Sequence, residues 1–252
     1  MAWRTPGRSR SVDPTQARGY YFAQYGSAWS LTGSLLGSTL LYMGLYLLVA
    51  ATGAFVTLAS GFDNFMATSG SVAWLPMILL VFLLSAALNR AMGNVRRELL
   101  LGGLMMLVVS PFLGLALAYG LTVSPAAVSS ALVSVGASLI VTAAIAYVSP
   151  WDLSKLQGLA FVGLLALIIT QVLAMFIGSA MGLVTSPLWA LIGIFVFELY
   201  MVVDMSRMRK AMAYGPNDGL AAYLGLGLAL DVVNLFMYFL MLFMGGAAGR
   251  RR

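Results

Sequence analysis

The chain has 252 residues, of which 61% are hydrophobic and 9% charged, where an average soluble domain has about 45–50% and about 25%. So few polar groups cannot cover a surface in water, so the bilayer must act as solvent and a single helical membrane bundle is expected. There is no Cys and no His, which excludes disulfides, thiolate chemistry, the usual zinc ligand and an imidazole base or pH sensor. The net charge of +6 sits on juxtamembrane Arg and Lys, so it reads as a topology signal with some attraction to anionic lipid, and no nucleic-acid partner is expected.

Residues 1–30 form a basic tail, with Arg4, Arg8, Arg10 and Arg18 against Asp13. They lack the apolar core and small-residue cleavage site of a signal peptide; a cytoplasmic tail and an organellar targeting segment are the two readings. Residues 31–246 carry seven apolar runs of the ~20-residue length that crosses the hydrocarbon core as a helix, at about 34–58, 72–92, 98–119, 126–148, 158–181, 187–205 and 221–244. Turn and breaker residues separate them: Gly61–Asp63, Gly93–Asn94, Ser124–Pro125, Ser149–Pro150, Gly182 to Pro187, and Gly215–Pro216. The long runs lack the strict alternation of a membrane β-barrel. Residues 247–252 form a short basic C-terminal tail.

Orientation follows from Lys and Arg in short loops. A cytoplasmic N-terminus puts eleven on the inside: the four of the tail, Arg90, Arg96 and Arg97, Lys155, and Arg207, Arg209 and Lys210. None falls in the three outer loops. Arg250, Arg251 and Arg252 are the misfit: either a short basic tail is translocated or the last segment does not fully cross.

The chemistry lies in eight acidic residues. Asp13, Asp63, Asp152 and Asp218 fall in tails or loops, and Glu98 beside Arg97 suits a helix start. Glu198, Asp204 and Asp231 fall inside spans, where an ionisable side chain costs at least ~2.5–3.5 kcal/mol and is a functional hypothesis by default. Asp231 lies about 15 Å into the seventh span, with Asn234 on the same helical face. It must point into the bundle, as a helix-to-helix hydrogen bond or as a functional carboxyl. Asp204 either pairs with Arg207 or Lys210 or meets Asp231 across the short loop between spans six and seven. Two carboxyls in contact cannot both ionise cheaply and titrate as a unit. Glu198 lies about 240° around the helix from Asp204 and lines a polar cavity, bonds a hydroxyl or Gln171, or stays protonated.

Weaker signals complete the reading. Gly33 and Gly37, and Gly225 and Gly227, suit close helix packing, and the sixteen Met residues read as core filler. Ser130, Ser134 and Ser138 form one stripe on the fourth span, a packing face or a pore wall. No HExxH, GxSxG, P-loop or histidine-dependent triad occurs, so no enzyme is expected.

Three stretches, "SLIVTAAIAYVSPWDLSKL", "FELYMVVDMSRMRK" and "LGLGLALDVVNLFMYFLMLFMGG", resemble the Bax inhibitor-1 (TMBIM) family and its bacterial members. They are similar to that family's fourth helix with its D-(L/M)-S turn, its sixth-helix F-x-L-Y-x-x-Y-D motif with a basic patch, and its terminal L-x-L-x-L-D-x-x-N-L-F motif. The resemblance implies an all-α integral membrane fold, a seven-transmembrane-helix bundle with helix seven central and two three-helix layers around it. It implies that Asp204 and Asp231 form a pH-sensitive latch on a calcium leak, that they are candidate Ca²⁺ ligands, and that a basic residue on helix two assists. Arg90 is the candidate for that residue and Arg96 its rival. Val203 and Ala229 stand where the family usually has Tyr before each Asp, and Glu198 is an additional acid. A bacterial inner membrane is the expected location. The alternative function is a non-conducting modulator of a membrane protease or stress-response complex, its protein partner held by the basic tail. A proton-coupled transporter using Asp231 has no discontinuous-helix pair to support it.

Overall fold

Each long apolar run is a helix in the computed structural model, which describes residues 34–68, 74–91, 94–149, 151–176, 186–213, 215 and 217–249. The spans are α1 (Leu35–Ala59), α3 (Leu75–Ala91), α4 (Val95–Val123), α5 (Pro125–Val148), α6 (Gln157–Phe176), α7 (Pro187–Met212) and α8 (Asp218–Gly249). A short α2 (Phe62–Thr68) follows α1. Among the described residues, six helices are long and apolar enough to cross a membrane, and α3 is a shorter apolar helix. Of the expected tails, residues 1–30 lie outside the described residues, whereas 247–252 divides: 247–249 continue α8 and Arg250 to Arg252 lie outside, as do Gly93, Pro150, the 182–185 stretch and Pro216.

Helix starts are set by side chains that satisfy otherwise orphaned backbone donors. Ser34 accepts from the amide of Gly37, Asn94 from Arg97, Ser124 from Ala127 and Ser186 from Trp189. Pro125 and Pro187 follow their caps directly, where the missing N–H costs nothing. The turn at Gly61 has φ of +71°, a conformation that suits Gly. It leads into α2, where the exposed rings of Phe62 and Phe65 stack at 5.6 Å. The sequence reading treated this stretch as a turn only.

The sixth span departs most from expectation. The segment after residue 205, expected as a loop, continues α7 to Met212. Met205, Ser206 and Met208 remain buried there, so packing persists beyond the apolar run. Arg209 and Lys210 occupy the last turn, where cations favour the helix dipole. Asp218 is likewise not in a loop: it opens α8 and is buried. Its carboxyl bonds the Tyr42 hydroxyl of α1 and lies in a first turn that favours negative charge.

Helix α8 forms the centre, packing against α1, α4, α5 and α7. On one side α1 packs on α4 and α3 on α4; on the other α5 and α6 pack on α7. This is the bundle of seven helices with a central last helix and two flanking groups of three. Outward residues such as Phe55, Val133, Ile140 and Phe195 are exposed and apolar, as lipid-facing positions require.

Candidate functional site

The site is built by the contact of α7 with α8. Close approach of two helices needs small residues at the seam, and α8 supplies Gly227. A Cβ there would stand 2.7 Å from Asp204 Oδ2, so the Asp204 carboxyl occupies the space that a side chain would take. Further along, the Tyr238 ring lies against Gly193 of α7 in the same way. From Asp204 back to Gly193 is the same number of residues as from Gly227 on to Tyr238, so the two contacts define one antiparallel register.

In that register Asp231 stands level with Tyr200. At about 1.5 Å per residue it is about 3 Å from the level of Glu198 and about 6 Å from that of Asp204. The charges acting on Asp231 are those of Asp204 and Glu198, both on α7. Asp231 is 5% exposed, and no donor reaches its Oδ2 among the described residues. Asn234, on the same face, turns away: its Nδ2 donates to the carbonyl of Leu230 at 2.8 Å.

Asp204 Oδ1 accepts from Arg207 Nη1 at 3.2 Å, one turn on along α7. Lys210, the other basic candidate, forms an ion pair with Asp152 at 2.5 Å and donates to Ser154 Oγ at 2.8 Å. Arg90 stands exposed in the last turn of α3 and Arg96 is exposed in the first turn of α4. The basic side chain that the structure sets at Asp204 is therefore Arg207. Glu98 does open α4, yet it is fully buried, and its backbone carbonyl accepts from the Tyr46 hydroxyl at 3.1 Å.

Glu198 faces α5. Its Oε1 accepts from Ser138 Oγ and its Oε2 from Thr142 Oγ1 at 2.8 Å. Of the readings left open by the sequence, bonding to hydroxyls is the one realised; Gln171 instead donates to the Tyr238 hydroxyl at 2.8 Å. Thr142 continues the Ser130, Ser134, Ser138 stripe by one more turn, a signal present in the spacing but passed over. Ser130 itself is exposed, and it is Ser138 and Thr142 that bond to α7.

Where α7 leaves the apolar region, its basic turn holds the connection between α5 and α6. Arg209 Nη1 donates to the carbonyls of Tyr147 at 3.2 Å and Ser149 at 2.8 Å, which α5 leaves open at its C-terminus. Lys210 holds the Asp152 carboxyl, with help from Ser154, well below the usual carboxylate range, at about 2.

A comparison with known families finds one that covers the site and nearly all of the described helices: the family described as Inhibitor of apoptosis-promoting Bax1 matches residues 32–248. The chain belongs to that family. It is a multi-pass membrane protein of the Bax inhibitor family, and the facing stretches of α7 and α8 are those that carry the sequence resemblance. A search of curated proteins gives no match. Among the described residues no three carboxylates converge on one point, so Asp204 and Asp231 alone do not make a closed metal cage.

Proposed function

We propose that this Bax inhibitor family protein is a cation leak pathway, carrying Ca²⁺, whose opening depends on protonation of Asp204 and Asp231 between α7 and α8. The observation that carries the reading is Asp231: a carboxyl deep in a span, without a donor on Oδ2, one turn along α8 from the Gly227 gap that holds Asp204. With Arg207 already paired to Asp204, a proton on Asp231 keeps α7 and α8 together by sparing the seam a second negative charge. When that proton leaves, two like charges in a medium of low dielectric repel. In this reading Arg207 fills the part that the resemblance gives to a helix-two residue such as Arg90. Carboxylate oxygens are suitable hard ligands for Ca²⁺ in passage. The positive-inside bias sets the N-terminus in the cytoplasm, and the bacterial inner membrane is the compartment that the reading implies.

The test is Ca²⁺ flux into liposomes holding the purified protein, from mildly acidic to mildly alkaline pH. Asp204→Asn and Asp231→Asn are expected to remove the pH dependence, each by fixing the pair in one charge state. Unchanged flux with unchanged pH dependence in both variants sinks the reading.

A further inference from the structure

Glu198 has no part in the Asp204–Asp231 reading, and its surroundings are specific. A carboxylate on α7 is bracketed by Ser138 and Thr142, two hydroxyls one turn apart on α5. Such a bracket places three side chains bearing hard oxygen donors from two helices at one depth. Asp231 is the independent neighbour: more than nine-tenths buried, with Oδ2 lacking a donor, on α8, which packs against both α5 and α7. The register derived above sets its level only about two residues, or about 3 Å, from Glu198. It is nearer in level to Glu198 than to Asp204.

Charge decides what such a place would take. Of the three intramembrane acids, Asp204 has Arg207. No Lys or Arg pairs with Glu198 or Asp231 among the described residues. Two carboxylates without a basic partner in an apolar interior call for compensation by protons or by a hard cation. Ser and Thr hydroxyls can turn to offer a lone pair in place of a proton, so the bracket can pass from holding a bare carboxylate to holding an ion.

We infer that Glu198, Ser138 and Thr142 form a second intramembrane cation station between α5 and α7, which with Asp231 holds a divalent hard cation. The inference rests on the cation-pathway reading and deepens it by naming where the ion pauses. The pathway then has two consecutive carboxylate stations along α7, Glu198 and Asp204, with Asp231 between their levels. Two acids and two hydroxyls fall short of the 6–8 oxygens of a tight Ca²⁺ site. Weak binding is what passage requires, because an ion must leave as readily as it enters.

The experiment measures equilibrium binding of radioactive Ca²⁺ to the full chain in lipid nanodiscs, alongside Ca²⁺ flux in liposomes of the same lipid. Glu198→Gln keeps the shape and both hydroxyl partners while removing the charge. It is expected to weaken binding by roughly tenfold or more, since affinity follows ligand charge. Ser138→Ala with Thr142→Ala, on the other helix, is expected to weaken binding several-fold, and it decides the matter should Glu198→Gln fail to fold. Binding equal to wild type in the folded variants overturns the station. The two readings fail separately. Glu198-dependent binding without any wild-type flux leaves the station and removes the channel. Wild-type flux that depends on Asp231, with binding and flux unaltered by Glu198→Gln, leaves the channel and removes the station.

Discussion

The carboxyl of Asp204 fills the place where Gly227 has no side chain, and this contact fixes how α7 and α8 slide against each other. Both helices would pack closely at any small residue. Here the small residue admits a carboxyl, and the contact from Arg207 at 3.2 Å holds that carboxyl at the seam. The position of Asp231 between the levels of Asp204 and Glu198 follows from the same contact.

Gly227→Ala tests this directly. The added Cβ would meet Asp204 Oδ2 at 2.7 Å, so the carboxyl must move or the helices must part. Such overpacking typically costs about 1–3 kcal/mol. A lower thermal midpoint in detergent is expected, with the pH dependence of Ca²⁺ flux displaced as well. In an Asp204→Ala background the same Gly227→Ala change should cost much less, because the clash partner is gone. Equal costs in both backgrounds would falsify the contact.

Much of this was legible in the sequence, for identifiable reasons. Hydropathy finds spans because the bilayer forbids unsatisfied backbone, and breakers such as Ser124–Pro125 mark where they stop. Gly225 and Gly227 read as close-packing residues, and Asp231 as a carboxyl turned inward. That Asp204 fills the gap at Gly227 was not legible, since register between two helices is a tertiary property. The extension of α7 to Met212 was missed because charged residues stop a hydropathy count but not a helix. The burial of Glu98 and Asp218 escaped for a related reason: helix starts normally face water, and here Tyr46 and Tyr42 of α1 cover them.

Arg209 reaches backbone carbonyls at the end of α5, so its planar fork matters as well as its charge. Arg209→Ala should raise amide hydrogen exchange across the 147–153 segment. The stability cost should be about 1–2 kcal/mol, toward the low side for a charged donor because the site is partly exposed. Arg209→Lys should recover only part of it, since one ammonium can stand in for Nη1 but not also for Nη2, which reaches the Trp151 carbonyl at 3.5 Å. Full recovery by Lys would show that charge near the helix end is sufficient.

The Asp152–Lys210 pair sets a pH dependence outside the membrane. Asp152 is brought from 3.8 to about 2, first by its hydrogen bond from Lys210 and then by Ser154. A carboxyl lowered in the folded state adds stability above its ordinary pKa and loses it as pH falls toward the lowered value. The contribution is therefore complete at neutral pH and fades between about 4 and about 2. Lys210→Met should return the Asp152 titration toward the ordinary range, as read by carboxyl carbon NMR of the protein in detergent. An unchanged titration would mean that Ser154 alone sets it.

The number of crossings decides where the basic chain end lies. Helix α8 has 32 residues, about 48 Å at about 1.5 Å per residue, which exceeds a ~30 Å hydrocarbon core. The shortest crossing is α3, whose 17 residues give about 25 Å. That falls at the short end of the spanning range and requires local thinning of the bilayer or a contribution from flanking residues. Arg90 in its last turn can extend toward the interface and ease the mismatch. Seven crossings place the segment after Gly249 on the opposite side from the 213–217 connection. Single Cys residues introduced at Ala213, which is exposed, and after Gly249 in this Cys-free chain should label from opposite faces with a membrane-impermeant thiol reagent. Labelling from one face would mean that α8 re-enters instead of crossing, and labelling at Asn94 then tells whether α3 crosses.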